Sequence, residues 1–470
     1  MKKKQRIYLM GICGTGVGAL AGLLKAQGNE VLGSDSNIYP PMSTKLAEWG
    51  IPVLEGYRAE NLQPHPDLVI IGNVIRATNP EAQYVREAGL KVLSMPEAVA
   101  EFGIADRHSI VVAGTHGKTT TTALIAHLLD HAGEDPSFLV GGVLVNQPDS
   151  FRSAPGRFFV IEGDEYDTAY FDKVPKFVHY RPKTAIITSL EFDHADIYEC
   201  IETVEAAFQR LIELVPPDGH LVIWEGAHRA VRLAKKLARC RVTLYGTQKG
   251  PQTDVWMEES GTSGEGLHFT VDGEMGILSD CVVPMWGEHS AQNVLAAFCA
   301  LRAVGVSGED LAAGFGCFAG VKRRLEVLGS PGGVTVVDDF GHHPTALKRT
   351  LEGARQRWSG QRLWAFFEPR SATSRRNIFQ EEFIDALGLA DCVVVGSHPR
   401  LAEIPLKERF SPETVAQTLR DRGLDAEAKE SVEDIVSHVK GRARQGDVLL
   451  VFSNGDFGGL HSELLRALGD

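Results

Sequence analysis

The sequence predicts an α/β protein of three units, each built on a mostly parallel sheet. Short apolar runs alternate with stretches of helical character along nearly the whole chain, as where Arg6-Ile7-Tyr8-Leu9-Met10 gives way to Ala19 to Gln27. Several of these runs end abruptly in glycines or in clustered acids and histidines, which is where an open parallel sheet presents groups to a ligand. A length of 470 residues accommodates about three domains at roughly 150 residues each. We place them at 1–107, 108–328 and 329–470.

Composition narrows the class. Hydrophobic residues make up 43% and charged residues 23%, so sizeable cores are available to a globular protein. A formal net charge of -13 argues against a non-specific nucleic-acid or anionic-membrane binder, and leaves room for a phosphorylated ligand held by a local site. Seven cysteines without a C-x-x-C pair fit reduced thiols, and hence a cytoplasmic protein, better than a disulfide framework. The opening Lys2-Lys3-Lys4 with its short apolar run reads as a first strand and not a signal peptide. No apolar segment reaches the ~18 residues that would span a bilayer.

In the first unit the opening strand runs into Gly11-Ile12-Cys13-Gly14-Thr15-Gly16-Val17-Gly18 and then a helix. The order is that of a nucleotide-binding turn, although G-x-x-G-x-G is not the spacing of a dinucleotide enzyme. A second strand, Glu30 to Ser34, ends at Asp35, where a carboxylate can accept hydrogen bonds from a ribose or base. Glycine-tightened packing and a solvated carboxylate are the plainer readings of the same residues. Asp67 to Ile71 and Lys91 to Ser94 extend a parallel sheet.

The second unit opens on Ile110-Val111-Val112-Ala113-Gly114-Thr115-His116-Gly117-Lys118-Thr119-Thr120-Thr121, followed by the helical Thr122 to Leu129. Strand, glycine turn, Lys-Thr and helix form a phosphate-binding loop, shortened because Val112 stands where the first glycine is expected. Lys118 would reach the β/γ-phosphates and the Thr119 hydroxyl would take a place on magnesium. A second strand, from Phe158, delivers Glu162, Asp164, Glu165 and Asp167 to one end, and such crowding calls for a cation or screening water. A third, Thr184 to Leu190, leads into Glu191-Phe192-Asp193-His194-Ala195-Asp196, where His194 reads as a metal or phosphate contact or as a surface histidine. Pieces at Trp256 to Glu259, His268 to Val271 and Cys281 to Met285 predict an antiparallel edge. Gly287-Glu288-His289-Ser290-Ala291-Gln292-Asn293 precedes a helix from Val294, with Ser290 as its cap or the group as nucleotide contacts. Lys322-Arg323-Arg324 stands at the next junction, either to clamp a phosphate or to lie solvated.

The third unit begins with an apolar strand ending in Asp338-Asp339-Phe340-Gly341-His342-His343-Pro344, where Pro344 permits a helix to start. Adjacent histidines seldom converge on one metal, so zinc is not expected. Later strands end in Glu368-Pro369-Arg370-Ser371 and in Ser453-Asn454-Gly455-Asp456-Phe457-Gly458-Gly459, a terminal loop open enough to admit a substrate closely.

Together Gly114 to Thr120, the acids from Glu162, Glu191 to His194, Gly287-Glu288-His289 with Asn293, Arg323-Arg324 with Glu326, and Asp338 to Pro344 resemble the Mur ligase family, in order and over nearly the whole chain. The resemblance implies an ATP-dependent, magnesium-requiring amide ligase of peptidoglycan metabolism. It also implies a Rossmann-like UDP-binding domain, a P-loop ATPase-like central domain and a Rossmann-like C-terminal domain that takes the acceptor. Within the family the chain is similar to the branches that use UDP-N-acetylmuramate. It is closer to the one whose acceptor is the murein tripeptide L-alanyl-γ-D-glutamyl-meso-diaminopimelate than to the one that adds L-alanine. Gly11 to Thr15, Glu368 to Ser371 and the Ser453 loop carry that preference, since a larger acceptor needs a different C-terminal pocket.

The resemblance also implies roles. Gly11, Cys13, Gly14, Thr15 and Gly16 would meet the UDP diphosphate and Asp35 the nucleoside. Gly114, Thr115, His116, Gly117, Lys118, Thr119 and Thr120 would hold the ATP phosphates. Thr119 with Glu162 or Glu165 would hold one magnesium ion, and His194 would belong to the second metal or γ-phosphate site. His289 and Asn293 would lie on the adenine side, Arg324 at the phosphates, and Asp339 and His343 would reach the nucleotide from the third domain. Lys118, His194 and Arg324 would act in catalysis. Position alone suggests Arg370, Ser371, Asn454 and Asp456 for the acceptor. Some branches carry a carbamoylated lysine where this chain has Gln209, so none is expected, and Ser290 replaces a common asparagine. Outside the family, the Gly11 turn would suit a nicotinamide oxidoreductase and the phosphate loop an ATP-driven switch; the first leaves Lys118-Thr119 unexplained.

Overall fold

Every apolar run singled out above becomes a strand, and the strands assemble into three large sheets plus a two-stranded ribbon, Asp167–Ala169 with Asp172–Pro175. The computed structural model describes residues 4–193 and 197–469. The first sheet is wholly parallel, in the order Val53–Glu55, Glu30–Asp35, Arg6–Met10, Leu68–Ile71, Val92–Ser94. The Gly11 turn leaves Arg6–Met10 where the winding reverses, the place at which such sheets open a crevice.

The central sheet has ten strands. His108–Ala113 lies between Thr184–Ile187 and Phe158–Gly163, parallel to both, so the phosphate loop and two acidic strand ends emerge at one edge. The expected antiparallel margin is present as Val255–Ser263, Gly266–Gly273 and Leu278–Val283. Alternation along His108–Ala113 sorts its side chains. Ile110 and Val112 pack with Leu124, Leu128, Val294 and Phe298 of the helices Lys118–His131 and Glu288–Ala303. Val111 and Ala113 face the other way, into a cluster shared with Phe208 and Leu211 and with Leu20, Leu23 and Leu24 of the first unit. One apolar core therefore ties the first and central units together.

The third sheet runs Glu326–Gly329, Thr335–Asp339, Val448–Phe452, Leu363–Phe367, Cys392–Gly396, Asp425–Lys429, parallel except for its first strand. The buried residues of its two apolar clusters all belong to this unit, with Leu325 of the preceding segment packed against one of them. Among the described residues the third unit meets the others through polar contacts together with a few ring contacts, such as Phe192 with Phe379 and Arg357 over Trp286, and no shared buried core, which suits a part that moves as a body.

Differences from expectation have local causes. Thr184–Ile187 stops short of Leu190 because the Thr188 hydroxyl turns to the carbonyls of Ala113 and His116. The helix expected from Val294 begins at Glu288, and Gly287, not Ser290, caps it; the Ser290 hydroxyl donates instead to the Trp286 carbonyl at 2.7 Å. Glu326–Gly329 straddles the expected 328/329 boundary and pairs with the third sheet. Asp425–Lys429 went unread because a polar edge strand carries little apolar signal. Gln209 is exposed on the helix Ile201–Leu214 and donates to Glu213. The seven cysteines are free thiols. Among the described residues no helix is long and apolar enough to cross a membrane.

Candidate active site

The phosphate loop is held open from behind. Gly114 has φ +132°, and a Cβ there would stand 2.2 Å from the Thr188 hydroxyl and 2.8 Å from the Ser189 amide, so only glycine fits. Ser189 in turn accepts the His116 N–H at 2.9 Å, and Thr115 exchanges hydrogen bonds with the backbone of Glu191. Lys118 opens the following helix and folds its ammonium back to the Gly114 carbonyl at 2.6 Å and to Glu165 at 3.2 Å. Burial works against this charge, and Glu165, Asp164 and Glu162 outweigh it, raising the lysine above its ordinary value.

The crowded acids are sorted by the chain's own lysines. Asp164 pairs with Lys176 at 3.1 Å, Glu165 with Lys118, and Asp167 with Lys173 at 2.7 Å. Glu162 accepts instead from the Thr119 hydroxyl at 3.0 Å and from the Gly141 amide. Burial and the neighbouring Asp164 push its carboxyl up. A hydroxyl and a carboxylate side by side at a phosphate loop are the oxygen donors a magnesium ion takes, with water and phosphate completing its shell.

Beside the loop lies a cavity of 410 Å³ between the central and third units, lined among others by Gly117, Thr120, His289, Asn293, Arg324 and Asp339. The fold thus brings together residues that lie far apart in the sequence. Burial, with Arg349 and Arg324, lowers His289 to about 4, and its Nδ1 has no partner among the described residues. Asn293 accepts the Thr121 hydroxyl at 3.1 Å. Asp339 accepts from the amides of Leu325 at 3.0 Å and Gly341 at 2.8 Å, while burial raises its carboxyl. Trp286, Arg349 and Arg357 also line the cavity; the two helix-borne arginines carry no sequence motif, and neither does Trp286 in the segment before Gly287. Lys322-Arg323-Arg324 separates: Arg324 faces the cavity, whereas Arg323 binds Asp338 at 2.9 Å and the carbonyls of Ser453 and Gly455.

His343 does not line this cavity. It caps the helix Pro344–Arg357, accepting the Thr345 N–H on Nδ1 at 3.3 Å, with its ring 4.9 Å from that of His116. A nitrogen of each ring and an oxygen of Glu191 lie within 4.8 Å of one another, which resembles a metal cluster. The cap argues against one: with Nδ1 accepting, the proton of the neutral ring sits on Nε2, leaving no lone pair there. His194 lies outside the described residues; its neighbour Asp193 accepts the Thr373 hydroxyl at 2.9 Å.

Two further cavities lie at the ends of the outer sheets. One of 540 Å³ in the first unit is lined by Gly11, Cys13, Gly14 and Asp35 with Tyr39, Tyr57 and Arg76. Thr15 and Gly16 instead start the helix Thr15–Ala26, and Asp35 accepts from the amides of Cys13 at 2.9 Å and Asn37 at 3.1 Å. The other, of 290 Å³, lies in the third unit and is lined by Glu368, Arg370, His398, Lys429 and Asp456 among others. A Cβ at Gly455 would stand 2.1 Å from the Arg370 guanidinium, so the glycine makes room for that side chain. Ser371 closes a turn with Ser374, and the Asn454 Oδ1 is buried without a partner among the described residues; neither lines the cavity.

Residues 6–107 match the model described as Mur ligase family, catalytic domain, 112–301 the Mur ligase middle domain, and 323–455 the Mur ligase, glutamate ligase domain. The UDP-N-acetylmuramate–L-alanyl-γ-D-glutamyl-meso-2,6-diaminoheptandioate ligase of Escherichia coli (strain K12) is 40% identical over 466 residues, 98% of each chain. A UDP-N-acetylmuramate–L-alanine ligase of Renibacterium salmoninarum is 35% identical over 465 residues, 98% of this chain and 96% of its own. A solved murein peptide ligase from Psychrobacter arcticus 273-4 is 36% identical, covers 99% of each chain and superposes with a TM-score of 0.74. With three domain models matched in order and such identity over almost its full length, the chain belongs to the Mur ligase family.

Proposed function

We propose that this protein is an ATP-dependent ligase that joins the carboxylate of UDP-N-acetylmuramate to the amine of L-alanyl-γ-D-glutamyl-meso-diaminopimelate in murein recycling. The observation that carries the reading is the 40% identity, end to end, with a ligase named for that pair of substrates. The runner-up, addition of L-alanine, rests on the relative at 35%.

Making an amide from an unactivated carboxylate requires a phosphorylated acyl group, which the acceptor's amine then displaces. The chain's part is positioning and charge neutralisation. Lys118 and the amides from Gly114 to Thr120 hold the ATP phosphates, with Arg324 approaching from the cavity's far side. His289, Asn293 and Asp339 hold the nucleoside. Thr119 and Glu162 are the pair we assign to magnesium, which when bound neutralises phosphate charge; Glu165 is occupied by Lys118. His194 is assigned to the γ-phosphate region on the family resemblance alone. Gly11, Cys13, Gly14, Thr15, Gly16 and Asp35 form the UDP end, and Arg370 and Asp456 line the acceptor's cavity, with Ser371 and Asn454 shaping its loops. The division at 1–107, 108–328 and 329–470 is proposed with it, the strand Glu326–Gly329 reaching into the third unit. Free thiols and two phosphorylated substrates suit the cytoplasm.

The test is phosphate release from ATP in the presence of UDP-N-acetylmuramate, with tripeptide or L-alanine offered separately. Faster turnover with tripeptide is expected; faster turnover with L-alanine would assign the chain to the other branch.

A further inference from the structure

Glu191 carries no role in the assignment above, yet it joins the two parts of the molecule that must meet. It follows the strand Thr184–Ile187 and is locked to the phosphate loop by backbone: its N–H donates to the Thr115 hydroxyl at 2.9 Å, and that hydroxyl donates back to its carbonyl at 3.3 Å. Its side chain points at the third unit. Oε2 accepts from His116 of the loop at 3.2 Å and from the hydroxyl of Thr345 at 2.9 Å. Thr345 lies in the first turn of Pro344–Arg357, next to the capping His343. The contact is half-buried, and the neighbouring His343 ring packs on Phe379 with centroids 5.0 Å apart.

The third unit has its own buried apolar clusters, so its placement over the loop depends on boundary contacts such as this one and the neighbouring Phe192–Phe379 ring pair. Burial would raise the Glu191 carboxyl, but His116, Thr345 and His343 hold it down at about 2, so it is a full anion receiving two donors. One donor belongs to the phosphate loop and the other arrives with the third unit.

We propose that Glu191 is a positioning residue that couples the two: Thr345 reaches its carboxylate only when the third unit closes, and the shared acceptor then fixes His116 and the loop in the pose that transfers the phosphoryl group. The proposal rests on the reading of the chain as an ATP-dependent ligase. Glu191 touches no substrate in this account. It acts through His116 and Thr345.

Thr345→Val tests it, because valine keeps the shape and removes only the hydroxyl. Expected are a roughly tenfold fall in kcat for ligation, a KM for ATP within about twofold of wild type and an unchanged melting temperature. Thr345→Ser should restore kcat, and Glu191→Gln with Thr345→Val should be no slower than Glu191→Gln alone, since the two residues form one contact. Small-angle scattering supplies a readout independent of the acceptor. With magnesium, a non-hydrolysable ATP analogue and UDP-N-acetylmuramate, wild type and Thr345→Ser should contract while Thr345→Val stays extended. Wild-type kcat and contraction in Thr345→Val would overturn the proposal. So would a loss of kcat that serine does not rescue and that follows the melting temperature, which marks a structural residue only. If wild type contracts but ligates neither tripeptide nor L-alanine, the functional reading fails and the coupling stands.

Discussion

Thr119 and Glu162 face each other at the mouth of the phosphate loop, hydroxyl to carboxylate, 3.0 Å apart. Glu162 lies near the end of Phe158–Gly163 and Thr119 in the first turn of the helix that follows the neighbouring strand His108–Ala113, and parallel pairing of the two strands brings them together. Glu162→Gln keeps the size and removes the charge. We expect it to lower kcat by roughly 100-fold or more at a magnesium concentration that saturates wild type, and to raise the half-saturating concentration. Because the Glu162 carboxyl is pushed up by burial and Asp164, protons compete with the metal: magnesium affinity should weaken as pH falls toward the raised value, and that dependence should vanish in the glutamine variant. A magnesium titration of phosphate release at several pH values decides it; equal half-saturation in the two proteins would remove Glu162 from the metal.

Lys118 stays charged where it is buried, because Glu165 and its neighbours outweigh desolvation. Lys118→Ala should lose roughly 10²–10³-fold in kcat, while UDP-N-acetylmuramate, whose UDP end we assign to the first unit, keeps its affinity. Calorimetric titration alongside the rate assay checks both. Retained ligation would remove Lys118 from the ATP phosphates.

Gly455 leaves space for the Arg370 guanidinium, which reaches Asp456 at 3.2 Å. Gly455→Ala should displace that guanidinium and raise the KM for tripeptide roughly tenfold, about 1.4 kcal/mol, with the KM for ATP unchanged. A shift in both constants would remove Arg370 from the acceptor site we assign to it.

Much of this site was legible in the sequence because strand ends write it. Gly114 to Thr120, Glu162 and Glu191 each follow an apolar run, and parallel pairing of neighbouring strands gathers whatever the runs deliver. Two kinds of residue were not legible. Arg349, Arg357 and Thr345 ride on a helix of the third unit, and no local pattern says that this helix turns toward the central sheet. The second kind is the sorting of like residues. Spacing alone could not tell Glu162 from Glu165, or Arg323 from Arg324, because each choice is made by a partner distant in sequence: Thr119 and Lys118 for the acids, Asp338 and the Ser453 loop for Arg323.

Four histidines are held neutral at about 4 by burial: His108, His220, His289 and His343. In the unfolded chain each ring titrates near 6.5. Between those values the unfolded state binds more protons than the folded one, so stability rises with pH through the window. Above about 6.5 both states are neutral and the histidines contribute no pH dependence; below about 4 the loss is complete. His220 is the cleanest probe, since it lies on the strand His220–Trp224 away from the nucleotide cavity, and its Nε2 meets the Thr243 hydroxyl at 2.8 Å. Glutamine can keep that bond and cannot titrate. His220→Gln should therefore remove about one proton from the uptake on unfolding near pH 5, and narrow the difference in unfolding free energy between pH 7 and pH 5 by roughly 2 kcal/mol. Denaturant midpoints for wild type and variant at the two pH values measure it, and an undiminished difference would mean that His220 is already charged in the folded protein.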